Sequence, residues 1–274
     1  MSETVQTRPF LKWAGGKRRL LEQYAPFFPK LKKSATYYEP FLGGGALFFH
    51  LAPQQASLSD INDELINCYL SLRDETNKVR SLVRAHSRNH CHDYYYYMRD
   101  YTPKSDTRRA ARFIYLNRTC YNGLYRVNSK GKFNVPMGRY KDPFKHIDGW
   151  LEAAAEALQS ADIKVAPFEK VVKSAKKGDF VYFDPPYQPI SDTAYFTSYS
   201  KDSFREDDQR RLAKTFAQLT RKGVMAMLSN SNHPMVLELY EKSAVRIIEV
   251  KAIRAINSKA SKRGAVKELL VLNY

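Results

Sequence analysis

Asp184-Pro185-Pro186-Tyr187 is the stretch whose residue types are best suited to chemistry, and it follows the apolar run Phe180-Val181-Tyr182-Phe183. Two successive prolines remove two N–H donors and push the residue before each toward extended backbone. The expected result is a rigid lip at a strand's C-terminal end, offering one carboxylate, bare carbonyls and one aromatic face. Such acceptors suit an amino group carrying two hydrogens, with Tyr187 stacking on a flat heterocycle. The exocyclic amine of a nucleobase is a poor nucleophile because its lone pair is delocalised into the ring. Asp184 and the Pro185 carbonyl would favour a pyramidal nitrogen and stabilise the positive charge developing on it. The bland alternative is a proline turn at a strand end.

Two further motifs could line a cofactor. In Glu39-Pro40-Phe41-Leu42-Gly43-Gly44-Gly45 the glycines stand between a strand and a helix, where a ligand can approach the backbone closely. The spacing is not G-x-G-x-x-G, so a pyrophosphate cradle is a weak reading. Asp60, at the end of the next strand, can accept from ribose hydroxyls, and a nucleoside-type cofactor without phosphates fits better than a dinucleotide. Phe10-Leu11-Lys12-Trp13-Ala14-Gly15-Gly16-Lys17 reads as a basic turn, or as Trp13 and Lys17 lining a pocket, with Lys17 near a carboxylate.

The elements that must carry these residues read as an α/β chain. Residues 36–60 read strand, glycine loop, helix, strand, the opening of a doubly wound sheet. A helix is expected over 62–85, with Leu65, Ile66, Tyr69 and Leu72 on one face. A second is expected over 105–118, with Ala110, Phe113, Ile114 and Asn117 at helical spacing. Leu124–Asn128 and Lys132–Val135 then flank Ser129-Lys130-Gly131 as a basic hairpin, with glycine where positive φ is cheap. Alternation resumes with a helix near Trp150–Gln159 and strands at Ile163–Val165 and Phe180–Phe183. A helix from Ser203 to Arg221 opens on a Ser203-x-x-Glu206 capping pattern and stops at Gly223. Strands at Val224–Ser229, Arg246–Val250 and Glu268–Leu272 follow, with a helix near Met235–Lys242 among them. The simplest organisation is a core of residues 1–60 and 147–274, interrupted by an insert over 61–146.

The chain has 274 residues, 43% of them hydrophobic, enough for a sizeable core. No apolar run approaches the ~18–20 residues of a membrane helix, and the first residues hold no signal-peptide core. Cys68, Cys91 and Cys120 have no paired spacing, which argues against a disulfide framework or a CxxC site and fits a reducing cytoplasm. Forty-five Lys and Arg against 28 Asp and Glu leave a net charge of +17, which points to a polyanion. Twelve bases and three acids lie between Arg99 and Lys145, and six bases with no acid between Lys251 and Lys267. Interleaved with Tyr115, Tyr121, Tyr125 and Tyr140, these segments favour a nucleic-acid groove over solvated faces, and duplex DNA over a membrane surface.

FLKWAGGK, EPFLGGG, Ser59–Asn62, Leu116–Lys141 and DPPY together resemble, in content and order, the Dam-type DNA adenine N6-methyltransferases, nearly end to end. The resemblance implies a Rossmann-like S-adenosylmethionine-dependent methyltransferase core, mostly parallel and doubly wound, with a mainly helical, hairpin-containing DNA-recognition insert. It implies methyl transfer from S-adenosylmethionine to N6 of an adenine flipped out of duplex DNA, within GATC. Trp13, Lys17, Glu39, Phe41, Gly43, Gly45, Asp60, Phe168 and Asp184 would surround the cofactor, with Asp60 on the ribose and Phe168 against its adenine. Asp184, Pro185, Pro186 and Tyr187 would form the catalytic lip around the target base. Arg126 would read a guanine through O6 and N7, and Leu124 and Pro136 would meet thymine methyls. Lys12 and Tyr140 would meet the first base pair, and Tyr121 and Asn122 would fill the space the adenine vacates. Arg118, Asn128, Asn134 and Arg139 match phosphate-contacting positions.

The expected partner is double-stranded DNA, with no metal and no membrane, for a monomer in the cytoplasm associated with the nucleoid. The rival readings are an RNA adenine or protein amide methyltransferase and a catalytically inactive DNA-binding regulator. Asp184, where the amide-methylating group usually carries Asn, and intact Asp60 and Gly43–Gly45 weigh against them. His86-x3-His90-Cys91-His92 reads as a polar surface loop rather than a metal site, and Tyr94–Tyr97 as helix packing rather than base stacking.

Overall fold

The computed structural model describes residues 7–187, 204–241, 246–253 and 265–274. Seven strands form one sheet: β1 (Tyr37–Glu39), β2 (Ala56–Asp60), β3 (Ala161–Val165), β4 (Phe180–Phe183), β5 (Met225–Ser231), β6 (Arg246–Ile253) and β7 (Ala265–Leu272). Their order is β3-β2-β1-β4-β5-β7-β6. β1 runs parallel to β2 and β4, and β4 to β5. β7 is antiparallel to both β5 and β6. This is the mostly parallel, doubly wound, Rossmann-like sheet expected from the sequence. The strand order reverses between β1 and β4, and ligands of such sheets bind outside the carboxyl ends of strands at that reversal. Glu39 ends β1 and Asp184 follows β4 there.

Among the described residues the helices of six residues or more are α1 (Ala46–Leu51), α2 (Asp63–Asp74), α3 (Thr76–Arg88), α4 (His92–Asp100), α5 (Asp106–Thr119), α6 (Ile147–Leu158), α7 (Glu206–Arg221) and α8 (Pro234–Glu241). None is long and apolar enough to cross a membrane. The described residues fall into two compact units. One takes Met1–Lys17, Gly43–Ala52 and Asp60–Val165; the other takes Arg18–Leu42, Pro53–Ser59 and Ala166–Tyr274.

In the first unit α2 begins where Asn62 Oδ1 accepts from the Leu65 N–H at 3.1 Å, a cap worth about 1 kcal/mol. Its Leu65, Ile66, Tyr69 and Leu72 are buried, and it packs on α5. The single helix expected over 62–85 is two helices. Glu75 leaves helical geometry (φ −130°, ψ 43°), and the Thr76 hydroxyl bonds the Leu72 carbonyl at 2.8 Å. The chain thus turns without stranding that acceptor. The hairpin after α5 is present as two isolated bridges, Cys120 with Met137 and Val127 with Phe133. Gly131 at its tip has φ +70°. Phe133 and Val135 pack with Tyr95, Met98, Tyr115, Leu116 and Cys120 in a small apolar core.

In the second unit β4 is buried along its whole length. Val181 and Phe183 pack with Leu212, Phe216 and Leu219 of α7, with Val236 and Tyr240 of α8, and with Leu269 and Val271 of β7. The α7 start expected at Ser203 lies outside the described residues. The helix opens at Glu206, with the Arg205 N–H on Asp208 Oδ2 at 2.8 Å and three acidic residues in a first turn that favours them. It stops at Gly223 as expected. That residue has φ +68°, and the bonds Gly223 N–H to Thr220 and Val224 N–H to Leu219 close a Schellman turn.

Candidate active site

The lip after β4 is built by side chains from three elements of the second unit. β5 lies beside β4 with Leu228 opposite Phe183, so Ser229 falls level with Asp184. The Ser229 hydroxyl donates to Asp184 Oδ1 at 2.9 Å and is itself 3.0 Å from the Tyr182 hydroxyl. Gln209, on α7, donates from Nε2 to the Pro186 carbonyl at 3.3 Å. Gln209 Oε1 in turn accepts from Asn230 Nδ2 at 2.9 Å, and Asn230 Oδ1 accepts from the Ser231 N–H. Ser229, Asn230 and Gln209 are fully buried. Tyr187 donates its phenol to Glu268 Oε2, on β7, at 2.7 Å.

Burial holds the phenols of Tyr24, Tyr182 and Tyr187 protonated, each well above the ordinary tyrosine value, and the negative charge of Asp184 adds to this. Three neutral phenols thus border one carboxylate. None of them is a base at neutral pH, and acceptor chemistry at the lip falls to Asp184 and backbone carbonyls. The Pro186 carbonyl is already engaged by Gln209, which directs attention to Pro185, a buried residue.

On the same unit, Glu39 is buried and accepts from the Tyr37 phenol at 2.7 Å. Phe41 stacks on Phe168, with ring centres 5.2 Å apart and planes at 25°, and Phe204 stands edge-on to Phe41 at 5.6 Å. These rings make an apolar face suited to a flat heterocycle.

The first unit carries the other motif residues. Gly43 donates its N–H to Asp60 Oδ2 at 3.1 Å, and the Asn62 N–H reaches Oδ1 at 3.0 Å. Burial pushes the Asp60 carboxyl up, and the N–H groups of Gly43, Asn62 and Ile61 pull it back toward the ionised form. Backbone donors pin both carboxylate oxygens and leave acceptor capacity for a sugar hydroxyl, which fits a nucleoside cofactor. Gly43 has φ +46°, and a Cβ there would sit 2.8 Å from the Trp13 ring. Glycine is therefore required both by the backbone and by the indole. Gly45, with φ +64°, opens α1. Trp13 stacks near-parallel with Tyr125 at 5.8 Å and with Phe113 at 6.5 Å. Lys17 is buried and donates to the Gly15 carbonyl at 2.6 Å.

The residues expected to meet DNA lie on this first unit and differ sharply in exposure. Lys12 is clamped by Asn117, which accepts from the Lys12 N–H at 2.8 Å and donates to its carbonyl at 2.6 Å. The Lys12 ammonium donates to the Arg118 carbonyl at 3.1 Å and lies 3.4 Å from the Tyr140 ring centre. Burial first, and Arg118 second, bring its pKa down to about 8. Arg118 is buried; its guanidinium donates twice to the Pro143 carbonyl, at 3.0 and 2.8 Å, and lies over Trp150. Burial and the charge of Arg8 lower it to about 10.

Arg126 is exposed, with Nε on Asn134 Oδ1 at 2.7 Å and Nη2 on the Asn134 carbonyl at 3.2 Å. Asn128 accepts from the N–H groups of Lys130 and Lys132, both at 3.0 Å, and shapes the hairpin tip. Tyr121, Asn122, Pro136 and Arg139 are exposed, and Leu124 is half-buried against the small core. Asn122 has φ +54°, a conformation asparagine tolerates better than most side chains.

Of the His86–His92 stretch only residues 89–91 form the expected surface loop; His86 and His92 belong to the helices on either side. His86 lies in the last turn of α3, with Nδ1 at 2.7 Å from the Tyr94 hydroxyl, and His90 Nδ1 is 2.9 Å from the Tyr115 hydroxyl. Among the described residues no three His, Cys, Asp or Glu side chains are grouped to hold a metal. Tyr94 and Tyr95 pack between helices, Tyr95 reaching the Val135 carbonyl at 2.8 Å, while Tyr97 is exposed.

Ser229, Gln209, Asn230, Glu268 and Asn117 are site-shaping residues that sequence reasoning passed over. Two signals pointed to three of them: a polar Ser-Asn-Ser end on an otherwise apolar β5, for Ser229 and Asn230, and an asparagine within the apolar face of α5, for Asn117.

Comparison with known proteins agrees with this chemistry. A family model described as D12 class N6 adenine-specific DNA methyltransferase matches residues 13–256. A Type II methyltransferase, M1.LlaDCHI, of Lactococcus lactis subsp. cremoris is 47% identical over 98% of this chain and 96% of its own length. The Type II methyltransferase M.MjaIII of Methanocaldococcus jannaschii is 41% identical over 98% of this chain and 100% of its own. The DNA adenine methylase of Escherichia coli K12 is 36% identical over 97% and 95%.

Proposed function

Because the chain belongs to the D12 class N6 adenine-specific DNA methyltransferases, S-adenosylmethionine-dependent enzymes acting on DNA, we propose that it methylates N6 of an adenine flipped out of duplex GATC. The observation that carries this reading is the lip: Asp184 fixed by Ser229 and Tyr187 fixed by Glu268, on one rigid turn. Extrusion is needed because N6 is out of reach inside the stack. Asp184 and the Pro185 carbonyl accept the two N6 hydrogens, draw the nitrogen toward a pyramidal geometry and stabilise the charge that develops on it. Tyr187 stacks on the extruded ring. The lip is already held by buried side chains, so little reorganisation remains at the moment of reaction.

Asp60 binds the cofactor ribose through the lone pairs its backbone donors leave open. Phe41 and Phe168 take the cofactor's adenine, and Trp13, Lys17, Glu39, Gly43 and Gly45 serve as further cofactor-binding residues. When bound, S-adenosylmethionine supplies an electrophilic methyl carbon. Arg126 reads a guanine and Lys12 with Tyr140 the first base pair, while Leu124 and Pro136 meet thymine methyls. A palindrome is modified one strand at a time, so a single copy of the chain suffices.

The test is to incubate unmethylated plasmid with the protein and S-adenosylmethionine, then digest with enzymes that cut only methylated or only unmethylated GATC. Full conversion from one digestion pattern to the other is expected. An unchanged pattern, with labelled methyl still entering the DNA, would overturn the GATC assignment and leave the family chemistry standing.

A further inference from the structure

The two prolines of the lip fix its backbone but not the direction of the Tyr187 ring, which turns about its own side-chain bonds. The ring is held at its far end, where the phenol donates to Glu268 Oε2 at 2.7 Å. That length is an ordinary O–H···O distance, and with an ionised carboxylate as acceptor such a bond is roughly twice as strong as a neutral one. Glu268 is carried by β7, the inner strand of the antiparallel edge, where it stands opposite Ser231 of β5 and Val250 of β6. Backbone pairing on both sides therefore sets the position of this carboxylate, rather than a loop. Ser231 and Ser229 lie on the same strand, so β5 and β7 hold the two ends of the lip together.

Resting on the reading of Tyr187 as the ring that stacks on the target adenine, we infer that Glu268 is a positioning residue for methyl transfer, acting through Tyr187. It does two things. The tether removes rotational freedom from the ring, so the face offered to the extruded base is already oriented. An anionic acceptor also draws the phenol proton outward and leaves the ring richer in electron density. Such a face attracts positive charge, and N6 becomes positive as its bond to the methyl carbon forms and that carbon's bond to the cofactor sulfur breaks, before the surplus proton leaves to water. The proton stays on the phenol throughout, because burial and the neighbouring carboxylates disfavour the phenolate. Glutamine at position 268 would keep an acceptor for the phenol and lose only the charge; alanine would lose both.

The test compares wild type with Glu268→Ala, Glu268→Gln, Tyr187→Phe, Tyr187→Ala and the Tyr187→Phe/Glu268→Ala double variant. Three quantities are measured: kcat on a duplex with one GATC, the Kd for S-adenosylmethionine, and the emission of 2-aminopurine placed at the target adenine. Glu268→Ala should lower kcat by about tenfold with cofactor Kd unchanged. It should also brighten the 2-aminopurine, since a loosened ring quenches it less. Glu268→Gln should recover most of the lost rate, and the double variant should be no slower than Tyr187→Phe alone.

Wild-type kcat in Glu268→Ala, losses that add in the double variant, or glutamine no better than alanine would each overturn the inference. A parallel loss of cofactor affinity would do the same, by showing a general disturbance of the sheet. If the wild-type enzyme methylates no adenine, or Tyr187→Phe and Tyr187→Ala both leave kcat and the 2-aminopurine emission unchanged, the reading of Tyr187 itself fails, whatever Glu268 does.

Discussion

Asp184, Pro186 and Tyr187 are each held by a side chain from a different element: Ser229 on β5, Gln209 on α7 and Glu268 on β7. In the hairpin after α5, by contrast, Arg126 bonds Asn134, and Asn128 bonds the backbone of its own turn. The first region is fixed from outside by long-range partners, two of them wholly buried; in the second, Arg126 and Asn128 are exposed and bonded only to near neighbours in the hairpin, although its Phe133 and Val135 are anchored in a small core. The difference teaches how rate and choice can be divided within one chain. A site whose acceptors are preset needs no rearrangement to stabilise developing charge. A reading surface must instead exchange its internal bonds for bonds to a base edge. On the proposed reading, a guanine would compete with Asn134 for the Arg126 guanidinium, whose Nε and Nη2 are engaged there.

The sharpest way to break the comparison is Asp184→Ala. Transfer should fall by about 10²–10³-fold or more, with affinity for duplex unchanged within about twofold, as measured by single-turnover methylation and by titration. A large loss of duplex affinity would mean that the lip is not separable from DNA binding. Arg126→Ala comes next. It should cost roughly 1–3 kcal/mol of discrimination at one guanine and leave the rate on the best site nearly intact, as read from kcat/KM on duplexes altered at that base. Equal discrimination in that variant would remove the hairpin's reading role.

The smallest effect concerns Lys12, whose ammonium has a pKa lowered to about 8 by burial and by Arg118. Its positive charge is present below that value and is lost as pH rises through it. Bound DNA favours the charged form, so binding should take up a proton near pH 8. Duplex affinity should fall by about three- to tenfold between pH 7 and 9 at fixed salt, with the drop flattened in Lys12→Arg. The same lowered pKa makes Lys12 destabilise the free fold while charged, a cost relieved as pH rises from about 8 toward its unfolded value.

Much of the frame was legible because local patterns carry it. The apolar run 180–183 is β4, residues 46–51 are α1, and Gly223 ends α7 where the chain needs positive φ. Helix boundaries were less so. The apolar face that suggested one helix over 62–85 cannot register a backbone break at Glu75, because Val79 and Val83 continue to be buried beyond it. The lip was visible as a tetrapeptide, yet its supports were not. Ser229 lies 45 residues from Asp184, and Glu268 lies 81 from Tyr187; only the sheet order brings them together. Why glycine stands at position 43 was likewise half legible: the positive φ could be guessed, but the contact with Trp13, thirty residues earlier, could not. Exposure was the other hidden quantity. Arg118 and Arg126 look alike in a basic segment, yet one is buried on the Pro143 carbonyl and the other is open to solvent.

The most direct test of the central claim is nucleoside-level mass spectrometry of a duplex panel, one member with GATC and the others with each base of it replaced in turn, after reaction with S-adenosylmethionine. N6-methyladenine is expected as the sole new nucleoside, confined to the intact GATC duplex at limiting enzyme. Methyl found on another base, or spread evenly across the panel, would contradict the claim.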